Sequence, residues 1–290
     1  MSIESSLLPA LDLLVFPRLA DAKQGLDAIE RLFALVTLRA GVPHTFPGPI
    51  DEAYCSFTAV QDGFQGNVAG HLCHLLRRLL QEEPASRENA TLIDDMTRQV
   101  LILLQGSVLL HPPSQALFAR PANLHLLLNL VTLESTSVET TIAALTTLVC
   151  CLVDRPASLR VFEGCGGLAS LCDAFKAEKT PHKVKIKMLE FFYFYLIREQ
   201  QEDDGEIKTV KMNEQKQKES MGHWPIPRDL VGVTIDDEEG TVRPGKPAQR
   251  QQQQQPDTQL RTRLEKKRLL GEHLQNIDAL VASFDELAPF

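Results

Sequence analysis

A helical pattern that recurs every 44 residues is the feature that most restricts what this chain can fold into. The recurring apolar face is Leu101, Leu104, Gln105 and Val108; then Leu145, Leu148, Val149 and Leu152; then Leu189, Phe192, Tyr193 and Leu196. One position of the twelve, Gln105, is polar. A period in the forties with helical spacing inside it is typical of armadillo or HEAT repeats. We therefore expect an all-α, armadillo/HEAT-like helical solenoid.

Breaks between the helices recur at the same period. Arg120-Pro121 ends a short segment in one repeat, and the glycine-rich stretch 164–167 does so in the next. Long helices are predicted to follow residues 135–137 and 179–181, because Ser and Thr cap helix N-termini and Pro tolerates the first turn. Each repeat is thus predicted to hold a short, a second and a long third helix.

Composition and charge argue against nucleic-acid-binding and membrane-spanning proteins. The chain has 290 residues, 43% of them hydrophobic, and a net charge of −8, which argues against a nucleic-acid-binding surface. No apolar run reaches the roughly 20 residues needed to cross a bilayer, and the first leucines follow no positive segment. We expect a cytosolic or nuclear protein whose six cysteines are core thiols.

Three regions are predicted along the chain. Residues 1–199 form the armadillo-like helical domain, and residues 200–258, which end close to a run of five glutamines, form a disordered linker. Residues 259–290 form a C-terminal helix that docks on the solenoid. Its apolar seam has a spacing of four and three residues: Leu270, Leu274, Ile277, Val281 and Phe284.

Catalytic and metal-binding patterns find no positive support, and we predict neither an enzyme nor a cofactor. His71 and His74 share a helical face, but no second ligand pair at zinc-like spacing accompanies them. Cys165 precedes a helix start, where the helix dipole would acidify a thiol, yet its setting is a repeat turn. Phosphate-binding glycine loops of the usual spacing are missing.

Two stretches are candidates for protein interaction. The aromatic run 191–195 covers every side of a helix, so one neighbouring helix cannot bury it all. Either the C-terminal seam or a helix of a partner protein covers the remainder. A basic group, Lys176, Lys179, Lys183, Lys185 and Lys187, is either a solvated face or a surface for an acidic or phosphorylated segment.

Several segments together resemble a known family. They lie at residues 25–30, 60–68, 162–168, 184–198 and 269–281, and the most specific are Gln-Asp-Gly-Phe at 61–64 and the tail 269–281. The chain resembles the fungal cell-division-control family of the septation initiation network, whose members partner a Ste20-like (germinal-centre type) protein kinase. Gly66 departs from the family pattern, where a bulky aromatic residue is expected.

The resemblance implies a non-catalytic, kinase-associated subunit at spindle pole bodies and the division septum that promotes septum formation and cytokinesis. No nucleic-acid partner and no membrane insertion are expected. The residues predicted to bind a partner are Gln61, Asp62, Phe64, Asn67, Lys183, Lys187, Phe191, Phe194, Tyr195, Leu270, Leu274 and Ile277. A generic armadillo-type peptide-binding or assembly scaffold is the alternative. It predicts a ladder of Asn and Trp on the third helices, whereas the single Trp of this chain, Trp224, falls in the linker.

Overall fold

Apolar residues at spacings of three and four dictate helices along the described part of the chain. The computed structural model describes residues 3–39, 52–84, 86–132, 136–197, 199, 260–275, 277 and 282. The first five helices are α1 (Ile3–Val15), α2 (Leu19–Arg39), α3 (Glu52–Asp62), α4 (Val68–Leu79) and α5 (Arg87–Leu110). Helices α1 and α2 approach closely at Gly25, where a Cβ atom would lie 2.7 Å from the Ala10 carbonyl oxygen.

The two predicted repeats follow α5. The first consists of a 3-10 helix (Pro112–Ala119), α6 (Pro121–Thr132) and α7 (Val138–Leu152), and the second of α8 (Pro156–Gly164), α9 (Gly167–Lys176) and α10 (His182–Leu196). Corresponding elements pack on each other: the 3-10 helix on α8, α6 on α9, and α7 on α10. Helix α5, which carries the preceding copy of the recurring face, also packs on α7.

The recurring apolar face is the core of this stack. Its buried members are Leu101, Leu104, Val108, Leu145, Leu148, Leu152, Phe192 and Leu196. The polar member joins two helices, because Gln105 Nε2 donates hydrogen bonds to the Ala143 carbonyl (3.2 Å) and to Thr147 Oγ1 (3.1 Å). A glutamine is tolerated there because its amide finds acceptors on the neighbouring helix.

Local signals explain where the repeat helices begin and turn. Ser137 caps α7, as predicted, by accepting a hydrogen bond from the Thr140 backbone N–H (3.2 Å). The first element of the first repeat is a 3-10 helix rather than the expected short α-helix. It starts with Pro112 and Pro113, which lack N–H donors. At the second break Gly166 adopts a φ of 72°, the left-handed conformation that glycine accepts without cost.

The C-terminal segment is interrupted within the described residues. Helix α11 (Arg263–Gly271) begins with a capping box between Thr262 and Glu265, and the backbone turns at residues 272–275. The expectation of one uninterrupted helix through the seam was therefore wrong, although Leu270 and Leu274 are both buried. The outer seam positions, Val281 and Phe284, lie outside the described side chains, as does the predicted linker 200–258.

All secondary structure within the described ranges is helical, which confirms the predicted all-α class. The armadillo or HEAT assignment and the division into three regions stay predictions. In the described part of the chain, no single helix has the length and apolar composition of a membrane span. Of the described helices, only α5 and the following 3-10 helix pass that test together, across a bend of 119°.

Candidate protein-interaction sites

The turn between α3 and α4 is held by two of the predicted binding residues. Gln61 is buried, donates from Nε2 to the Gly66 carbonyl (2.9 Å) and accepts at Oε1 from the Val68 N–H (2.9 Å). Asn67 caps α4 through the Gly70 N–H (2.9 Å) and donates to the Gln61 carbonyl (2.9 Å). Both side chains are used inside the fold, and they fix the turn that carries Phe64.

The same turn is tied to the 3-10 helix through a polar chain. Asp62 Oδ1 lies 3.1 Å from His111 Nε2, and His111 Nδ1 lies 2.8 Å from Ser114 Oγ. Asn67 also donates to Ser114 Oγ (2.9 Å). This bonding leaves Phe64 projecting outward, with 96% of its surface exposed. A large exposed aromatic residue on a fixed turn is a feature of protein-binding surfaces.

The absence of a side chain at position 66 has a structural reason. A Cβ atom on Gly66 would lie 2.4 Å from the Val60 carbonyl oxygen. The bulky aromatic residue expected at this position from the family resemblance does not fit this turn. A change of the backbone between α3 and α4 would be needed to accept it.

A groove of about 940 Å³ runs beside this turn. We call it the arginine groove. Its walls come from the end of α1, the turn 61–67, α4, the 3-10 helix and the start of α6. Most of its polar side chains are basic: His71, His74, Arg77, Arg78 and Arg120. One carboxylate, that of Asp62, also lines it.

Two of these arginines are held by different elements that line the groove. Arg78 Nη1 donates to the carbonyls of Val15 (3.2 Å) and Phe16 (2.9 Å), at the end of α1. Arg77 Nη2 donates to Asn123 Oδ1 (3.2 Å) on α6. A guanidinium group at a helix C-terminus also meets the negative end of the helix dipole. Sequence reasoning missed this groove, because the elements that hold Arg77 and Arg78, α6 and the end of α1, are distant from α4 in the chain.

The second candidate region is the end of the stack at α10. Phe191 and Tyr195 are buried, whereas Phe194 is 44% exposed. Nearby exposed apolar side chains are Ile186 and Ile197. The predicted aromatic surplus is therefore mostly covered within the described residues, and Phe194 is the aromatic member that remains open.

The basic residues of α10 are less distinctive. Lys187 Nζ lies 2.6 Å from Glu190 Oε2, in an exposed pair between successive turns of the helix. Lys183 is exposed. At the preceding turn, Lys176 pairs with Asp173 at 2.9 Å. Surface pairs of this kind contribute little to stability, so this group has the geometry of a solvated face.

Helix α11 is joined to the stack by a buried ionic network. We call it the end network; its members are Arg160, Glu163, Tyr195, Glu199, Arg261 and Lys266. Arg160 forms ion pairs with Glu163 (3.0 Å) and with Glu199. Lys266 Nζ lies 3.1 Å from Glu199 Oε1 and donates to the Ile197 carbonyl (2.9 Å).

Two further contacts complete the end network. Tyr195 donates to Glu163 Oε1 (2.7 Å), and Arg261 pairs with the other oxygen of Glu163. The Lys266 ammonium group lies 5.4 Å from the centre of the Tyr195 ring. Each buried carboxylate thus meets at least one cation, which is the condition under which buried charges are tolerated.

Burial perturbs the titration of this network in two directions. It lowers the pKa of Lys266, an effect that Glu199 opposes. Burial, with the neighbouring Glu163 carboxylate, raises the pKa of the Tyr195 hydroxyl well above its ordinary value. Tyr195 therefore acts as a hydrogen-bond donor and stays neutral near physiological pH.

The seam residues lie beside this network. Leu270 and Leu274 are buried against the core, and Ile277 packs against it while partly buried. The sequence analysis predicted that these leucines dock on the solenoid. It did not single out Arg160, Glu163 and Glu199, the members of the end network that lie far from α11 in the sequence. The signal available was an arginine and a glutamate three residues apart on an otherwise apolar helix.

Five of the six cysteines have a thiol pKa raised by burial. Burial raises the pKa of Cys73 and of Cys172 to about 12, and that of Cys150 and Cys151 above the ordinary thiol value. Burial also raises the pKa of Cys165, the thiol for which the helix start had indicated acidification. A nucleophilic cysteine needs the opposite shift.

Metal ligands do not converge in the described ranges, where no three His, Cys, Asp or Glu side chains form a group that would hold an ion. His71 Nε2 instead lies 3.0 Å from the Gln65 carbonyl, and His74 is exposed. Among the described residues, the features that offer chemistry to another molecule are thus the arginine groove with Phe64, and the open face of α10.

The chain is similar to a known protein family and to a known protein. Residues 42–290 match the family model described as cell division control protein 14, SIN component. Cell division control protein 14 of Schizosaccharomyces pombe is 37% identical over 143 residues, which is 48% of this chain and 59% of that protein. The aligned region thus spans less than two thirds of this relative. No solved structure matches the chain.

Proposed function

The chain belongs to the family of cell division control protein 14, a component of the septation initiation network, and we propose that it is the non-catalytic regulatory subunit of a Ste20-like (germinal-centre type) protein kinase. The family match over residues 42–290 carries this proposal, because it includes the Phe64 turn, the repeats and α11. In this role the chain promotes septum formation and cytokinesis from the spindle pole body and the division septum.

Two structural observations support a binding role over a catalytic one. Burial raises the pKa of Cys73, Cys150, Cys151, Cys165 and Cys172. The groove with convergent polar groups is lined by arginines and an exposed aromatic residue, which are the residue types enriched where proteins bind one another.

We also propose that the helices form an armadillo-like solenoid. The contacts between corresponding elements support this arrangement. Helix α5 packs on α7 and α7 on α10, while the 3-10 helix packs on α8 and α6 on α9. A solenoid is suited to an adaptor because it presents an extended surface on a rigid frame. An experimentally determined structure tests the arrangement directly, and helices that do not stack by repeat would overturn it.

The kinase proposal is tested with purified components. The full chain and a Ste20-like germinal-centre kinase are mixed at micromolar concentration and separated by size exclusion with mass detection. We expect one complex that contains both proteins, and phosphoryl transfer only when the kinase is present. Separate elution of the two proteins, or phosphoryl transfer by the chain alone, would contradict the proposal.

Localisation is tested in dividing cells with a fluorescent fusion of the full chain. The proposal expects signal at the spindle pole body and the septum, and septation failure when the protein is depleted. Normal septation after depletion would oppose the role in cytokinesis.

A further inference from the structure

We propose that the arginine groove binds an acidic segment of a partner protein that carries an apolar side chain next to its carboxylates. When the partner is the kinase, the inference rests on the proposed function and identifies the contact surface. It differs from the lysine group, in which Lys176 and Lys187 already pair with carboxylates, and from the aromatic run 191–195, which is mostly covered.

The charge of the arginine groove favours an acidic ligand. The groove is lined by Arg77, Arg78 and Arg120, and the single lining carboxylate, Asp62, already lies in contact with His111. No other described carboxylate pairs with these three arginines. The whole chain has eight more acidic than basic residues, so this concentration of cations is a local feature that composition does not explain. Such a surface attracts carboxylates and disfavours cationic segments.

Preorganisation is the second argument. Arg78 is held by carbonyls at the end of α1, and Arg77 by Asn123 on α6. Side chains already fixed lose less conformational entropy when a ligand arrives. Arg77 and Arg78 are neighbours on α4 whose guanidinium groups are held by different helices, α6 and α1, and this arrangement suits an extended segment with several carboxylates better than one compact phosphate group.

The apolar rim is the third argument. Phe64 is 96% exposed and Val15 is 68% exposed, and both line the groove. Gln61 and Asn67 hold the Phe64 turn from inside. A partner with only carboxylates would leave this rim in water, so the surface selects a segment in which an apolar residue accompanies the acidic ones.

The probe is a short fluorescein-labelled peptide rich in Asp and Glu, with one central Phe, and its binding to the full chain is followed by fluorescence anisotropy. A peptide with Asn and Gln in place of the acids is the charge control. Arg120→Glu is the principal variant, because Arg120 is exposed and its reversal leaves the core intact. Arg87→Glu, an exposed arginine on α5 that does not line the groove, is the matched control.

We expect the acidic peptide to bind, the neutral peptide not to bind, and Arg120→Glu to weaken binding about tenfold while Arg87→Glu leaves it unchanged. Phe64→Ala is expected to weaken binding several-fold, unlike Leu109→Ala, which removes another exposed apolar side chain outside the groove. Equal binding by wild type and Arg120→Glu, or absence of binding by wild type, would overturn the inference.

The chain's own acidic stretch, Asp236–Asp237–Glu238–Glu239, is the competing occupant. If the peptide binds only after these four residues are changed to Asn and Gln, the groove takes its own segment and the partner-protein proposal is wrong. The kinase is tested with the same variants. If the kinase binds wild type and Arg120→Glu equally, the proposed function is supported, but the groove is not the contact surface and this inference is wrong. If the acidic peptide binds but the kinase does not, the groove is a binding site for acidic segments and the proposed function is wrong.

Discussion

The end network and the arginine groove use the same residue types for opposite purposes. At the end network, Arg160 and Lys266 are buried with two glutamates, and the aromatic ring of Tyr195 is covered. In the arginine groove, by contrast, the arginines meet backbone carbonyls and an amide, and the aromatic Phe64 lies in water. Cations and aromatic residues near each other therefore do not identify a binding surface. The two regions are distinguished by whether carboxylates of the chain already pair with the cations and whether other side chains already bury the aromatic ring.

The largest expected effect comes from opening the end network. Glu199→Ala leaves Arg160 and Lys266 buried with one carboxylate fewer, and removal of one partner from a buried ion pair costs about 3–5 kcal/mol. We expect the free energy of unfolding, measured by urea denaturation, to fall by about this amount. Glu190→Ala, which removes the exposed carboxylate paired with Lys187, is the control and should cost about 0.5 kcal/mol or less. Equal stability of the two variants would show that the end network does not close the stack.

The second effect separates packing from charge on α11. Leu270→Ala removes a fully buried side chain and is expected to lower the free energy of unfolding by about 2–4 kcal/mol. Leu264→Ala, on the same helix but 75% exposed, is expected to change it by about 0.5 kcal/mol or less. Hydrogen exchange of α11 reports whether the helix detaches. Slow exchange in Leu270→Ala, with unchanged stability, would contradict a docked α11.

The third effect concerns pH. The folded-state pKa of Tyr195 is raised, so above about pH 10 the unfolded chain loses this proton while the folded chain retains it. The unfolded state then binds fewer protons, and stability contributed by Tyr195 falls as pH rises, by at most about 1.4 kcal/mol per pH unit. In Tyr195→Phe this loss is absent. Urea titrations at several alkaline pH values should therefore show a shallower decline for the variant, and parallel declines would refute the assignment.

The smallest effect on stability is expected in the arginine groove. Phe64→Ala removes a side chain that is almost wholly exposed, so we expect the free energy of unfolding to change by about 0.5 kcal/mol or less. Thermal denaturation should therefore show a nearly unchanged melting temperature. Phe192→Ala, at a fully buried position, is the matched control and should cost about 3–5 kcal/mol. A large loss of stability in Phe64→Ala would mean that Phe64 belongs to the core and is not available to a partner.

Periodicity and capping made much of the fold predictable from the sequence. Spacing of 44 residues located the buried faces of α5, α7 and α10, and Ser137 located the start of α7. These signals are local, because a helix face is written in residues three and four apart. The interruption after Gly271 escaped prediction, since the apolar seam continued in register through residues 272–275, where the backbone turns.

The candidate sites were less predictable because their residues meet only in three dimensions. Gln61 and Asn67 belong to a segment that the family resemblance singled out, yet both are used within the fold, and their neighbour Phe64 is the exposed member. Arg78 and the end of α1 are more than sixty residues apart in sequence. No local pattern records such a contact. The Gly66 departure, in contrast, was visible in the sequence, and the close Val60 carbonyl accounts for it.

Hydrogen exchange of the full chain with and without the Ste20-like kinase tests the central claim most directly. We expect slower exchange, on kinase binding, in the turn 61–67, along α4 and at the start of α6. Exchange in α10 and α11 should be unchanged, because α11 already packs on that end of the stack. Protection confined to α10 and α11 would place the kinase on the end of the stack. Identical exchange at saturating kinase concentration would contradict the proposal that this chain is a kinase-binding subunit.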